Sequence, residues 1–344
     1  EQGPRGELES PASQTSRRRA GVPTRAVLRP VQGCEDSECC SVKFFFADSQ
    51  DTVDPTFDFE TETRAEWRIR QRDDLYAHEV YQKPPYDGIL VSKAMVDGNG
   101  STGSRYSLAQ RQRLWRAGVR SFFRLGGGLE SMGDCGAFSY VHEEYPPFTP
   151  DEVIDFYENC KFDYGLSVDH VILGFQPGLD DEWPELHCVP EEWRRRQEIT
   201  LELADEFARR CNIRKVHFTP LGVAQGWSPA SYAGSVAQLQ AMGYKRIALG
   251  GMVPLKTPGI LQCLDTIASI LRTDTTLHLL GVTRCEQVAH FLRYRVTSFD
   301  STSPLRQAFK DGKDNYYTMG RNYLAIRVPQ TEGNAQLQAR IRSG

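Results

Sequence analysis

The chain has 344 residues, 40% of them hydrophobic and 25% charged, a composition typical of one large domain with a substantial core. Its 41 basic and 45 acidic residues give a net charge of -4, which excludes a globally positive field and confines any nucleic-acid surface to a local patch. No apolar run reaches membrane-spanning length, and nine scattered cysteines without a signal peptide predict reduced thiols in a cytoplasmic protein.

The first 41 residues differ from the rest of the chain, being rich in Pro, Gly, Ser and Arg without apolar periodicity. Because this composition cannot bury a core, we expect residues 1–41 to be a disordered or misannotated leader. A nucleic-acid arm around Arg17–Arg19 is the alternative, and Val42 is a candidate true start. A catalytic domain is predicted over 42–330 and a tail over 331–344, and a further C-terminal segment could be missing.

From residue 43 onward, short β-rich runs alternate with stretches of helical periodicity. The predicted strands are 43–48, 88–92, 121–125, 164–169, 215–222, 246–251, 277–282 and 296–300. The predicted helices are 108–117, 150–160, 190–211, 228–242 and 259–271. Two of the helices open on capping patterns, TPDEV at Thr149 and SPASY at Ser228. Eight strands with intervening helices predict a closed (β/α)8 TIM barrel, and an open doubly wound sheet is the alternative.

Polar and small residues stand at the ends of several predicted strands. Because the carboxyl ends of barrel strands line the active site, we expect these residues to converge on one pocket. Carboxylate, carboxamide, glycine backbone and an aromatic face together suit a planar ligand with hydrogen-bonding edges, such as a nucleobase. The residues are Asp134, Gly136, Phe138, Asp169, Gln225, Gly250, Gly251 and Asp300.

These segments resemble the tRNA-guanine transglycosylases, which replace a guanine by a 7-deazaguanine, over roughly residues 43 to 310. DCGAF at 134–138 is similar to the family's DSGGF signature, although Cys135 and Ala137 replace its Ser and Gly. VAQG at Gln225, ALGG at 248–251 and HLLGV at 278–282 are similar to its IxQG, GG and LMGVG segments. FDSTSPLR at 299–306 is similar to its nucleophile segment, FDCxxPTR.

The resemblance implies a role for each residue. Asp300 would attack the anomeric carbon and form a covalent sugar ester, as carboxylates do in retaining glycosidases, and Asp134 would be the general acid/base. Arg306 would contact the nucleic-acid backbone. The residues implied to bind the base by its edge and faces are Asp169, Gln225, Gly250, Gly251, Phe138 and Leu280.

The zinc site of the tRNA-acting members, a CxCxxC set with a distant His, has no counterpart in the sequence. No Cys follows Cys285 and no His follows His290, so we expect neither a structural zinc nor another cofactor. This departure, with the opening KFFFADSQDTVDPTFDF, resembles the bacterial branch that inserts a 7-deazaguanine such as preQ0 into DNA. A target in duplex DNA must leave the stack, so proteins that open the duplex are candidate partners.

Other functions remain open from the sequence. The same chemistry on tRNA is one, and a non-catalytic accessory paralogue is another, although the retention of Asp134 and Asp300 argues against an idle site. A glycoside hydrolase also uses two acids, but they are commonly Glu there, and Gln225 with its glycine partners would be unexplained.

Three clusters of arginine are candidates for contact with a phosphate backbone, and solvated helix faces are the alternative. They lie within Arg64–Arg72, Arg105–Arg120 and Arg194–Arg196.

Overall fold

The computed structural model describes residues 42–48, 51–58, 60–99, 103–180, 189–282, 284, 287–303, 316–317, 322–323 and 335–343. All of them belong to the compact unit Ser41–Gly344. Eight parallel strands of this unit form a closed barrel, in which each strand pairs with the next and the last pairs with the first. The strands are β1 (Lys43–Ala47), β2 (Gly88–Ser92), β3 (Glu130–Asp134), β4 (Tyr164–Leu166), β5 (Thr219–Ala224), β6 (Arg246–Leu249), β7 (Thr276–Leu279) and β8 (Val296–Ser301). The predicted (β/α)8 barrel is confirmed.

Within the described residues, eight helices lie between the barrel strands along the chain, and a ninth follows the last strand. The helices are α1 (Ala77–Val80), α2 (Lys93–Asp97), α3 (Leu108–Phe122), α4 (Pro150–Cys160), α5 (Glu191–Arg214), α6 (Pro229–Ala241), α7 (Thr257–Ala268), α8 (Val288–Leu292) and α9 (Ala335–Arg342). Outside the barrel lie two short antiparallel pairs, Thr52–Val53 with Leu75–Tyr76 and Tyr316–Tyr317 with Asn322–Tyr323, and the 3-10 helices Ala137–Tyr140 and Pro177–Asp180. Within the described residues, a helix with the length and apolarity needed to cross a membrane is not found.

The two capping patterns start helices where they were predicted. Thr149 accepts a hydrogen bond from the backbone N–H of Glu152 at the start of α4, and the Glu152 carboxylate accepts one in return from the N–H of Thr149. Ser228 accepts from the N–H of Ser231 at the start of α6. Each pair satisfies backbone donors that the first helical turn leaves without partners.

The prediction of a strand over 121–125 is wrong. Helix α3 extends to Phe122, and Phe122 and Phe123 are buried in the core cluster between the helices and the sheet. The strand at this place in the barrel is β3, whose sequence ESMGD contains no β-branched or aromatic residue. Gly133 is required there, because a Cβ at this position would lie 2.3 Å from the ring of Tyr157.

Side chains from the strands fill the inside of the barrel. Because successive residues of a strand point to opposite faces, half of each strand packs inward and half packs against the helices. The inner cluster contains Phe45, Leu90, Met132, Tyr164, Leu166, Leu221, Val223 and Ala248. It closes the barrel below the carboxyl ends of the strands, so the residues that follow it along each strand lie around an open mouth.

Candidate active site

A cavity of about 310 Å³ lies at the carboxyl ends of the barrel strands. Its lining includes eight of the residues singled out in the sequence, Asp134, Phe138, Asp169, Gln225, Gly250, Gly251, Leu280 and Asp300. They come from six different strands or the loops that directly follow them. Arg306, the remaining predicted site residue, lies outside the described residues.

Asp300 lies near the end of β8 and is 6% exposed. Its Oδ1 accepts a hydrogen bond from the backbone N–H of Gly281 at 2.9 Å, and Nε2 of His278 lies 3.2 Å from the same oxygen. Gly281 has a φ of 70°, a left-handed conformation that glycine adopts without strain. The contacts of Asp300 within the described part of the chain therefore fall on one oxygen and leave Oδ2 for a ligand.

Asp134 is the last residue of β3 and lies opposite Ser92, the last residue of β2. The Ser92 hydroxyl donates to Oδ2 of Asp134 at 2.8 Å. Burial raises the pKa of Asp134 above its ordinary value, and the nearby charge of Asp300 raises it further, against the opposing hydrogen bond from Ser92. A raised pKa suits a carboxyl group that must give and take a proton near neutral pH.

Asp169 follows β4 and is 3% exposed. Nε2 of Gln225 donates to its Oδ2 at 2.6 Å, and the thiol of Cys135 donates to its Oδ1 at 3.0 Å. Burial and then the charge of Asp134 raise the pKa of Asp169 to about 7, although both hydrogen bonds oppose the rise. Each oxygen keeps a second lone pair, so the ionised group can still accept hydrogen bonds from a ligand.

The side chain of Gln225 is fixed between Asp169 and the backbone. Its Oε1 accepts from the N–H of Ile172 at 3.1 Å, which determines that its amide nitrogen faces Asp169. The space for this amide depends on two glycines. A Cβ on Gly250 would lie 2.2 Å from the Gln225 nitrogen, and a Cβ on Gly251 would lie 2.9 Å from its oxygen.

Phe138 and Leu280 also line the cavity. Phe138 belongs to the short 3-10 helix Ala137–Tyr140 and is 52% exposed, so its ring is available at the rim of the cavity. Leu280 directly follows β7 and packs against the inner core cluster. An aromatic and an aliphatic wall suit a flat ligand, and their stacking on a base remains a prediction.

Donor atoms of Asp134, Cys135 and Asp169 lie within 4.8 Å of one another, as the ligands of a metal ion would. The thiol does not fit this role, because it donates to Asp169 and accepts from the Tyr140 hydroxyl at 3.0 Å. Burial raises the pKa of Cys135 well above its ordinary value, whereas a metal ligand must be a thiolate. The Cys135 thiol is better suited to orient Asp169.

Two residues around Asp300 do not appear among the sequence predictions. His278 on β7 and Ser298 on β8 are buried beside it, and Nδ1 of His278 lies 2.8 Å from the Ser298 hydroxyl. The sequence does carry one signal that could have located them. Side chains two positions apart on a strand point to the same face, and Ser298 and His278 precede the predicted site residues Asp300 and Leu280 by two positions.

Several of the arginines considered for phosphate contact have acidic partners within the chain. Arg68 pairs with Asp54 at 3.0 Å and with Asp74 at 2.6 Å. Arg195 pairs with Glu144 at 2.7 Å. These ion pairs favour a structural role for Arg68 and Arg195 over contact with a phosphate backbone.

A larger cavity of about 480 Å³ lies outside the barrel wall, between β1, β2 and the short strand pair near Tyr76. Its lining is mainly apolar and includes Phe44 and Phe46, which alternate along β1 with the inward-facing Phe45. Asp48, which follows β1, also lines it, but Asp134, Asp169 and Asp300 line the smaller cavity instead. The smaller cavity is therefore the better candidate for chemistry.

Comparison with known proteins agrees with this geometry. No protein-family model matches the chain. A DNA-guanine transglycosylase of Salmonella montevideo is 54% identical to it over 304 residues, which is 88% of this chain and 72% of that protein. Identity of this extent, together with the closed parallel barrel, shows that the chain belongs to the DNA-guanine transglycosylase family and is a pentosyltransferase-type enzyme.

Proposed function

We propose that the enzyme exchanges guanine in DNA for a 7-deazaguanine of the preQ0 kind, through a covalent ester between Asp300 and the sugar. The observation that carries the proposal is the convergence of Asp134, Asp169 and Asp300 on one cavity. Glycosidic base exchange needs a carboxylate with an oxygen open to the sugar, a carboxyl of raised pKa and a buried hydrogen-bonding pair. These parts are supplied by Asp300, whose hydrogen bonds with described residues fall on Oδ1 alone, by Asp134, and by Asp169 with Gln225.

In the first half of the proposed reaction, Oδ2 of Asp300 forms a bond to the anomeric carbon as the bond from that carbon to the base breaks. The base leaves with the bonding electron pair and takes a proton from Asp134. In the second half, the ring nitrogen of the incoming base attacks the same carbon, its proton passes to Asp134, and Asp300 departs as a carboxylate. Protons and charges balance over the cycle, and Asp134 returns to its starting state.

Recognition of the base is assigned to Asp169 and Gln225. Guanine and 7-deazaguanines share an edge with two adjacent donors, the ring N–H and the exocyclic amine, beside a carbonyl acceptor. An ionised Asp169 suits the two donors, and the position of Gln225 beside Gly250 and Gly251 lets the backbone come close to the rest of the base. The base would lie between Phe138 and Leu280, with one of these side chains against each of its faces.

DNA is preferred to tRNA as the substrate because the 54% identical relative is named a DNA-guanine transglycosylase. Asp300 is 6% exposed at the barrel mouth, so a nucleoside in a duplex must leave the stack to reach it. We therefore propose that proteins which open the duplex act with this enzyme, and that Arg306 contacts the backbone of the extruded strand.

The proposal is tested by incubating the enzyme and preQ0 with DNA that carries radiolabelled guanine, in duplex and single-stranded form, and in parallel with labelled bulk tRNA. We expect release of labelled guanine from DNA and the appearance of a 7-deazaguanine deoxynucleoside after digestion. Single-stranded DNA should react even without an opening protein. Exchange on tRNA alone would contradict the DNA assignment, and no exchange on any substrate would favour an accessory paralogue.

The affinity for guanine should depend on pH through Asp169. Its pKa is raised to about 7 without ligand, and guanine prefers the ionised form, so binding releases a proton below that pH. The Kd should be nearly constant from about pH 7.5 to 8.5 and rise about tenfold per unit below about pH 6. Calorimetry across this range should show a flat profile for Asp169→Asn and a retained slope for Asp134→Asn. A flat wild-type profile contradicts the assignment.

Gly250→Ala should weaken guanine binding without unfolding the barrel. The new Cβ would lie 2.2 Å from the Gln225 nitrogen and push it away from Asp169, so we expect a loss of about 10 to 100-fold in affinity. Gly234→Ala is the matched control, because Gly234 is exposed on α6 with nothing within 4 Å of the added Cβ. The control should bind normally and melt slightly higher. Normal binding by Gly250→Ala would remove Gln225 from the proposed site.

A further inference from the structure

A buried imidazole is held directly behind Asp300. His278 is 2% exposed, and its Nε2 and Nδ1 lie 3.2 Å from Oδ1 of Asp300 and 2.8 Å from the hydroxyl of Ser298. Ser298 and Asp300 are two residues apart on β8 and so point to the same side of the strand. The ring of Phe45 meets the imidazole edge-on, with centroids 6.1 Å apart, and limits its rotation.

The groups at the two ends of this hydrogen-bonded series, Asp300 and Ser298, determine where the protons on His278 lie. An ionised carboxylate only accepts hydrogen bonds, so Nε2 of His278 must carry the proton that it shares with Asp300. In the neutral imidazole Nδ1 is then an acceptor, and the Ser298 hydroxyl donates to it. The carboxylate of Asp300 therefore selects the tautomer, and the Ser298 hydroxyl holds the ring in place by donating to Nδ1.

Both donors to Asp300 meet the same oxygen. The backbone N–H of Gly281 lies 2.9 Å from Oδ1, on which His278 also converges. Two donors on Oδ1 hold the carboxylate in one rotamer and leave Oδ2 for bond formation. They also stabilise the negative charge that returns to the carboxylate when the sugar ester breaks.

We propose that His278, oriented by Ser298, is a positioning residue that holds Asp300 for attack through Oδ2. The inference rests on the proposed function, because it gives Asp300 the role of nucleophile. Removing the imidazole leaves Gly281 as the one described donor to Asp300, and the carboxylate can then rotate. A misplacement of about 1 Å at a reacting group can cost about 100-fold in rate.

The test compares His278→Leu, His278→Gln and Ser298→Ala in single-turnover formation of the covalent enzyme–DNA adduct, with guanine affinity and melting temperature measured for each variant. Gln can place an amide N–H near the position of Nε2, whereas Leu cannot donate. We expect His278→Leu to form the adduct about 10 to 100-fold more slowly with unchanged guanine affinity. His278→Gln should recover most of the rate, and Ser298→Ala should lose about 2 to 10-fold.

Three results would overturn the positioning role. One is an equal loss of rate in the Leu and Gln variants, and another is a wild-type rate in the Leu variant. A loss of guanine affinity that parallels the rate in each variant would also overturn it, since that pattern indicates a general structural effect. Wild-type enzyme is measured first, because failure to form an adduct there contradicts the proposed function and not the role of His278.

Discussion

Asp300→Asn should abolish base exchange, with a loss of at least about 10⁴-fold in rate. The amide keeps the size of the side chain and can still accept hydrogen bonds from Gly281 and His278 through its oxygen, so the barrel should fold normally. What it lacks is the negative charge that stabilises the developing positive charge on the sugar and traps it as an ester. The measurement is release of labelled guanine from DNA over long incubations.

Asp274→Asn is the matched control for this variant. Asp274 is exposed before β7, where its carboxylate lies 3.7 Å from Lys245, and the same substitution there should leave exchange unchanged. Guanine affinity separates a lost nucleophile from a damaged pocket, and we expect it to be retained in Asp300→Asn. Exchange that persists in Asp300→Asn would show that another group attacks the sugar.

Asp134→Asn should slow exchange by about 10² to 10⁴-fold, the range over which positioned general acids and bases act. The variant cannot protonate the departing base or accept the proton of the incoming one. It should be no less stable than wild type at pH 8, because burial and Asp300 disfavour the charged form of Asp134 in the folded protein. Activity and thermal melting at this pH are the measurements.

Ser92→Ala is the control for the surroundings of Asp134. It removes the 2.8 Å hydrogen bond to Oδ2 but leaves the carboxyl group in place, so the loss of rate should be about tenfold or less. Without that bond the pKa of Asp134 should rise further, which moves the acidic limb of the pH–rate profile upward. Equal activity of Asp134→Asn and wild type would assign the proton transfers elsewhere.

The sequence predicts the architecture well because barrel strands are repeated and strongly patterned. Strands such as GILVS at 88–92 carry enough apolar and β-branched residues to stand out between capped helices. The strand β3 does not, since Gly133 and its neighbours are determined by the ring of Tyr157, a contact made 24 positions further along the chain. The apolar end of α3 at Phe122 is the more strand-like segment, although it belongs to a helix.

The candidate site shows the same difference between residues placed by topology and residues determined by a distant contact. Residues at strand ends, such as Asp134 and Gln225, can be located because topology alone brings the carboxyl ends of parallel strands together. Partners that act through contact are not visible in the sequence. The bond from His278 to Asp300 spans 22 positions, and the pairing of Arg195 with Glu144 spans 51, so neither could be read from neighbouring residues.

In the proposed mechanism, Asp300 becomes covalently attached to the sugar. The direct measurement is to mix the enzyme with DNA in the absence of an incoming base, denature it, and map any protein–DNA adduct by digestion and mass spectrometry. We predict an adduct on the peptide that contains Asp300, cleaved by hydroxylamine as an ester should be and absent from Asp300→Asn. An adduct on another residue, or exchange that proceeds in wild type without any adduct, would contradict this mechanism.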